Sequence, residues 1–393
     1  MLARTIFFMA FATLSMAAPQ DSGNQNAQTK RVEELRAKGL TCNEGVQGSV
    51  ICSDGQGGDC LPSGCGAGFA NPDLLKRCGG CGVVKYCGQP HQKADRPRHK
   101  VQCVPIEEQR EKLAEEEAKL RANPGEDTNG VDSFTNAVGQ FWFFKSTRPY
   151  ISARFDMMSA ILNVRTGEAV EAAIGHALEM LRLCRGDNQG VRSYVPALYF
   201  RLGRDQEAYD FIKWHATVPD DKYEWHNTSL PYLDLHDQDA FEPVFEKFHY
   251  YNVTFTVALT LIKIRLMKDL ESLQDFLQKH SGASEEARRA HLEEEAMSDI
   301  LLKRTQNVAH DNYKELIAQL KNQIKQLYEK VKKDKPHFWP GVQNPMLYAY
   351  DVPTIYTPGS REEALLIFRQ SWYSWAETDP DITYIRGIIS QDN

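Results

Sequence analysis

The chain has 393 residues, 42% of them apolar and 25% charged, with a net charge of −7. That is an ordinary globular composition, long enough for two or three domains and a sizeable core, and its charge alone gives no reason to expect a nucleic-acid binder. Nine cysteines, an odd number, argue against a full set of paired bridges.

The N-terminus opens with Arg4 and an apolar run over residues 5–16, and Ser15, Met16 and Ala17 suit a cleavage site. Residues 1–19 therefore read as a signal peptide or as sequence before a misplaced start. The run is shorter than the roughly twenty apolar residues of a membrane span. Residues 20–39 form a polar tail rich in Asn, Gln and Ser, expected to be disordered.

Residues 40–104 hold eight of the nine cysteines. Cys42, Cys52, Cys60 and Cys65 come first, without a C-x2-C spacing. Cys78 and Cys81 then stand two residues apart, Cys87 follows Tyr86, His91 comes next, and three residues separate His99 from Cys103. Thiolates and imidazoles at such spacings are zinc ligands. A short loop lets Cys78 and Cys81 reach one ion, and a helical i, i+4 pair puts His99 and Cys103 on one face. These four predict a Cys3His site.

Through the C-x2-C pair, Tyr86, Cys87, Gln92, Asp95, His99, Lys100 and Cys103, this stretch resembles the MYND zinc finger. The resemblance implies two interleaved zinc ions. Cys78, Cys81, His99 and Cys103 would hold one, while Cys87 and His91 belong to the other. His91 stands where the family normally has a cysteine, and neutral imidazole serves zinc equally. The other ion needs two upstream ligands. Cys60 and Cys65 are nearest and bracket a Pro-Ser-Gly turn suited to a ligand loop; Cys42 and Cys52 are the alternative pair. The family also implies a groove for short proline-containing peptides at Gln92 and at Arg96, where the usual residue is Trp. Loss of that ring removes a stacking platform and shifts the expected preference towards acidic peptides. An intracellular life, in cytoplasm or nucleus, is implied as well, with secretion as the reading if residues 1–17 are a true signal.

Residues 105–130 read as a charged helix over 105–122, with pairs such as Glu108 and Lys112 at i, i+4, and then a linker. Asn123, Pro124, Gly125 and Gly130 make residues 123–130 a domain boundary. Residues 131–335 show helical periodicity and almost nothing that reads as strand. Gly167 and Gly203 lie 36 residues apart, each five residues before an Ala (Ala172, Ala208). This resembles the roughly 34-residue tetratricopeptide repeat, in which such a Gly lets two helices approach. Residues 191–202 and 206–214 supply the clearer hairpin, and residues 254–280 a third, broken near Lys268 and Asp269. Met157, Met158, Leu162, Met180 and Leu181 are assigned to core, and Trp214, His215, Trp225 and His226 to packing. Residues 285–333 are expected to be helical, either covering the bundle or forming a helical hairpin broken near 309–311. Residues 336–393 are a Pro- and aromatic-rich segment with a short helix over 361–375. The layout, with its trailing HFWP, NP and PGS elements, is similar to a group of fungal MYND-type proteins.

The expected fold is thus mainly α, a small zinc finger followed by a tetratricopeptide-like helical domain. The expected function is a scaffold, not an enzyme, whose structural zinc supports binding of protein or peptide partners. The SET-type Asn-His-Ser-Cys element and the common catalytic motifs are missing from the sequence. The alternative is nucleic-acid binding by the finger, since residues 76–103 carry seven Lys/Arg against one Asp.

Overall fold

The computed structural model describes residues 41–44, 50–53, 59–61, 64–65, 75–86, 88–218, 222–243, 252–304, 313–345, 348, 353 and 355–392. The expected signal peptide and polar tail, Cys87 and the helix break at 309–311 lie outside them. The architecture is mainly α. Two compact units divide the described chain: one holds residues 41–122 with 152–173, the other 123–151 with 174–392.

The first unit begins with a four-stranded antiparallel sheet of β1 (Thr41–Glu44), β2 (Val50–Ser53), β3 (Asp59–Leu61) and β4 (Gly64–Cys65), in sequential order. A separate hairpin pairs β5 (Lys76–Arg77) with β6 (Lys85–Tyr86), Lys76 facing Tyr86. Helix α1 (Gln89–Ala122) follows without interruption. The sequence places a helix start at Pro105, because an interior proline costs a hydrogen bond and about 3 kcal/mol. The helix instead runs through both Pro97 and Pro105. Its buried positions explain this: His99, Cys103, Ile106, Leu113 and Leu120 all face inward, so burial and ligand placement on both sides of Pro105 outweigh the lost bond. The same face means that residues 105–122 are not the solvent-exposed spacer their charge suggests. Within this unit residues 152–173 pack beside the finger. Thr166 donates its hydroxyl to Val83 O at 2.6 Å, Lys85 pairs with Glu168 at 2.8 Å, and Gln102 and Lys112 reach Asn163 O and Asp156.

The second unit starts at the breaker-rich stretch. Gly125 adopts φ +91, and a Cβ there would meet Asp127 Oδ1 and Ser146 Cβ at 2.7 Å, so only glycine fits. Asp127 accepts from Lys145 N, Ser146 N and the Ser146 hydroxyl. The expected linker is a hydrogen-bonded turn. A short helix α2 (Ser133–Asn136), capped by Asp132, precedes α3 (Arg148–Ile161) and α4 (Gly167–Leu183). The hairpin expected over 191–214 is present as α5 (Val195–Arg201) and α6 (Asp205–Thr217). Its glycine has another purpose than close approach. A Cβ on Gly203 would meet nothing within 4 Å, and neither would one on Gly167, but Gly203 takes φ +66 in the turn.

Helix α7 (Val253–Lys279) is a single 27-residue helix where a broken hairpin is expected. Lys268 and Asp269 are not helix breakers here, because Asp269 is buried and accepts from Met297 N and Ser298 N, while Lys268 pairs with Glu271 one turn on. Asn252 caps its start. Helices α8 (Glu285–Glu295), α9 (Asp299–Arg304) and α10 (Tyr313–Asp334) follow, α10 packing along α7. The Pro- and aromatic-rich tail is more regular than its composition suggests. It forms α11 (Phe338–Gln343), α12 (Arg361–Ala376) and α13 (Asp379–Asp392). Trp339, Trp375, Phe338 and Phe368 are fully buried in it, and Gly341 is forced by the Tyr348 ring, 2.8 Å from where a Cβ would sit. The residues assigned to core are buried, except Leu162, which is half-buried. Trp214 donates to Asp234 and meets Tyr223, Trp225 and Tyr232 edge-on, and His215 lies between Phe211 and Phe255. They are packing residues.

Candidate metal centre

A short hairpin and a long helix converge on one point. The turn between β5 and β6 supplies Cys78 and Cys81, and α1 supplies His99 and Cys103 one turn apart. Cys78 N donates to Val84 O at 2.8 Å and Gly82 N to Cys78 O at 2.9 Å, closing the turn, with Gly82 at φ +74. All four side chains are buried, Cys103 completely. Their ligand atoms lie within 4.8 Å of one another. Cys78 Sγ is 3.7 Å from Cys103 Sγ, and Cys81 Sγ is 3.3 Å from His99 Nε2. A tetrahedral zinc with Zn–S bonds of about 2.3 Å needs S···S edges of about 3.8 Å, so the donor set fits that ion.

Burial and mutual proximity set the protonation of the three thiols. Burial pushes the Cys78 thiol up, but the N–H groups of Cys81 and Gly80 and the His99 ring bring it down to about 6. Burial drives Cys81 up to about 11, with the Cys78 thiolate adding to it, and Cys103 is raised by burial and by Cys78. The pocket by itself thus tolerates one thiolate. A divalent cation lets all three cysteines ionise together.

Residues around the ligands hold them in place. A Cβ on Gly80 would lie 2.6 Å from Cys103 Sγ, so this position must be glycine for the helix ligand to approach the turn. Arg110 donates to Gly80 O and Cys81 O, two helical turns beyond Cys103. Tyr86 donates to Asp95 at 2.7 Å and meets the His99 ring edge-on at 6.1 Å. Burial and the Asp95 carboxylate keep the Tyr86 hydroxyl protonated. Gly80 and Arg110 escaped the reading of the sequence. Arg110 had one signal, its spacing on the buried face of α1, but which carbonyls it meets depends on the packed turn.

The remaining predicted ligands are placed less completely. His91 is half-buried in the first turn of α1 and has interactions of its own. Cys60 and Cys65 face each other across β3 and β4; their side chains, like Cys87, lie outside the described residues. Gln92 is half-buried, while Lys93, Arg96, Pro97, Lys100 and Val101 form one exposed strip on α1.

The family model of the MYND finger matches residues 60–103, from Cys60 to Cys103. The chain carries a MYND finger. Neither a curated protein nor a solved structure matches the chain. In the MYND finger, Cys78, Cys81, His99 and Cys103 form a zinc site, and no helix among the described residues is long and apolar enough to cross a membrane.

Proposed function

We propose that the protein is a zinc-stabilised scaffold whose MYND finger and helical surface hold protein or peptide partners. The observation that carries this reading is the buried Cys3His cluster beside the exposed strip of α1. Four protein ligands fill a tetrahedral ion's coordination, leaving no open position for a reacting group, which supports reading this zinc as structural and the protein as a scaffold rather than an enzyme. A second ion is held by Cys60, Cys65, Cys87 and His91. Support comes from the family match, which begins at Cys60, and from the facing positions of Cys60 and Cys65, a separation from which two thiolates reach one metal. Peptides bind along Gln92 and Arg96. With Arg96 in place of a ring, and Lys93 and Lys100 on the same strip, acidic proline-containing peptides are preferred over neutral ones. The tetratricopeptide-like helices offer a further peptide-holding face.

Metal analysis and peptide titration test the proposal together. Purified protein should contain two zinc ions per chain. His91→Cys should keep both and His91→Ala should lose one; two ions retained in His91→Ala would remove His91 from the ligand set. A fluorescent acidic proline-containing peptide should bind more tightly than its neutral counterpart, and Arg96→Glu should reverse the order. Equal affinities in both variants would refute the groove. Tight binding of a DNA duplex, falling steeply with salt, would favour the nucleic-acid reading instead.

A further inference from the structure

The four strands of the N-terminal sheet carry one cysteine each, and all four stand in one row. Cys42 faces Cys52, Cys52 faces Cys60, and Cys60 faces Cys65. Facing residues of an antiparallel pair share a face of the sheet, with Cα atoms about 4.5–5.5 Å apart. That separation suits a disulfide, whose Cα atoms lie roughly 4.4–6.8 Å apart. It also suits two ligands of one metal ion.

A single four-thiolate site is excluded by distance. Cys42 and Cys65 are three strand spacings apart, about 14 Å. With a Zn–S bond of about 2.3 Å and a reach from Cα to Sγ of about 2.8 Å, two cysteines share an ion only when their Cα atoms lie within about 10 Å. No single ion can therefore take the whole row, and within it the facing cysteines are the closest partners. Pairing Cys52 with Cys60 would strand both outer cysteines, whereas Cys42 with Cys52 and Cys60 with Cys65 uses all four. The MYND match begins at Cys60 and leaves Cys42 and Cys52 outside it.

We infer that Cys42 and Cys52 form a disulfide across β1 and β2, a covalent clasp on the sheet that leads into the finger. The assignment rests on the reading that Cys60 and Cys65 serve the second ion. The oxidant is a low-molecular-weight disulfide. One protein thiolate attacks its S–S bond and releases one small thiol, and the second protein thiolate displaces the other. The protein gains an S–S bond and loses two protons and two electrons; the oxidant is reduced to two thiols. Thiolates bound to zinc are withheld from this exchange.

The test uses the full chain, loaded with zinc and equilibrated with oxidised glutathione. Accessible thiols are alkylated with light iodoacetamide, then the protein is denatured in EDTA and alkylated with a heavy form. Digestion without reduction, cutting after Glu44 and before Asp54 and Asp59, puts Cys42, Cys52 and the Cys60/Cys65 pair on three separate peptides. The expected result is a linked Cys42–Cys52 peptide pair, with the other seven of the nine cysteines alkylated and two zinc ions per chain. Cys42→Ser should leave Cys52 alkylated or as a glutathione mixed disulfide, never linked to another cysteine of the chain, without changing the zinc content. Light label on both Cys42 and Cys52 means free thiols, and heavy label on both means metal ligands; either outcome overturns the bridge, as does a Cys52–Cys60 link. A Cys60–Cys65 link with one zinc per chain overturns the second-ion reading instead, so the two failures are told apart.

Discussion

At the scale of single residues, two positions outside the ligand set control the metal centre. Gly80 leaves room for Cys103 Sγ, and Arg110 ties down the carbonyls of the turn that carries Cys81. Partners that orient ligands typically change metal affinity by about 10–100-fold. Gly80→Val and Arg110→Met should each weaken zinc binding by about tenfold or more in competition with a chromogenic chelator, whereas Lys93→Met, on the exposed strip, should not. A further residue, Lys263, is fully buried and donates to Ala240 O and Glu242 O. Burial lowers its pKa to about 7, against the pull of Asp239 and Glu242. A neutral amine has two N–H groups, enough for both carbonyls. Because the folded-state value lies below the unfolded one, near 10.4, the folded state binds fewer protons between these limits. Stability from this group therefore falls as pH drops from about 10 to 7 and is level below that, with a slope of at most about 1.4 kcal/mol per pH unit. Urea titrations of wild type and Lys263→Met across that range should differ by this slope; parallel profiles would show that Lys263 stays charged.

Among the elements, α1 decides how the finger behaves. It carries two zinc ligands near its start and buries Ile106, Leu113 and Leu120 further along. The finger's unit also holds residues 152–173, joined through Thr166, Glu168, Asn163 and Asp156. Zinc binding in a small module is worth on the order of ten kcal/mol of folding free energy, so metal removal should loosen these residues as well. Hydrogen exchange after EDTA treatment should show lost protection over residues 76–122 and 152–173 and retained protection in α7. Unchanged exchange at 152–173 would mean that these residues hold their structure without the metal. A second element-level expectation concerns the turn at 123–130. With Asp127 holding Lys145 and Ser146, the segment should resist protease in wild type, and Asp127→Ala should open it to early cleavage.

For the molecule as a whole, Arg265 joins the helices of the second unit. Its guanidinium, 4% exposed, meets Asp205 at the start of α6 and Asp381 in α13, both at 2.9 Å and both fully buried, and it reaches Ser374 O and Thr378 Oγ1. Burial pushes Asp205 up to about 6 even though Arg265 pulls it down. Removing one partner of a buried ion group leaves the others uncompensated at about 3–5 kcal/mol. Arg265→Met should therefore lower the melting temperature by many degrees, and adding Asp205→Asn and Asp381→Asn should restore much of the loss. A triple variant no more stable than the single one would show that packing, not charge, is what Arg265 provides.

Local spacing was enough to read the Cys3His set, because a C-x2-C turn and an i, i+4 helical pair fix ligand geometry within a few residues of each. It was also enough for a mainly α fold, for the α5–α6 hairpin and for the packing role of Trp214 and His215, since apolar periodicity reports burial directly. What escaped it depended on partners distant in sequence. The helix through Pro105 exists because Ile106 and Leu113 are buried on it, and α7 stays whole because Asp269 finds the N–H groups of residues 297 and 298. Gly80 matters only because a sulfur on α1 comes to rest against it. The row of Cys42, Cys52, Cys60 and Cys65 is set by strand register, which irregular spacing along the chain does not reveal. Spacing determined which side chains serve one local site; tertiary packing decided which residues, far apart in the chain, must meet to hold that site in place.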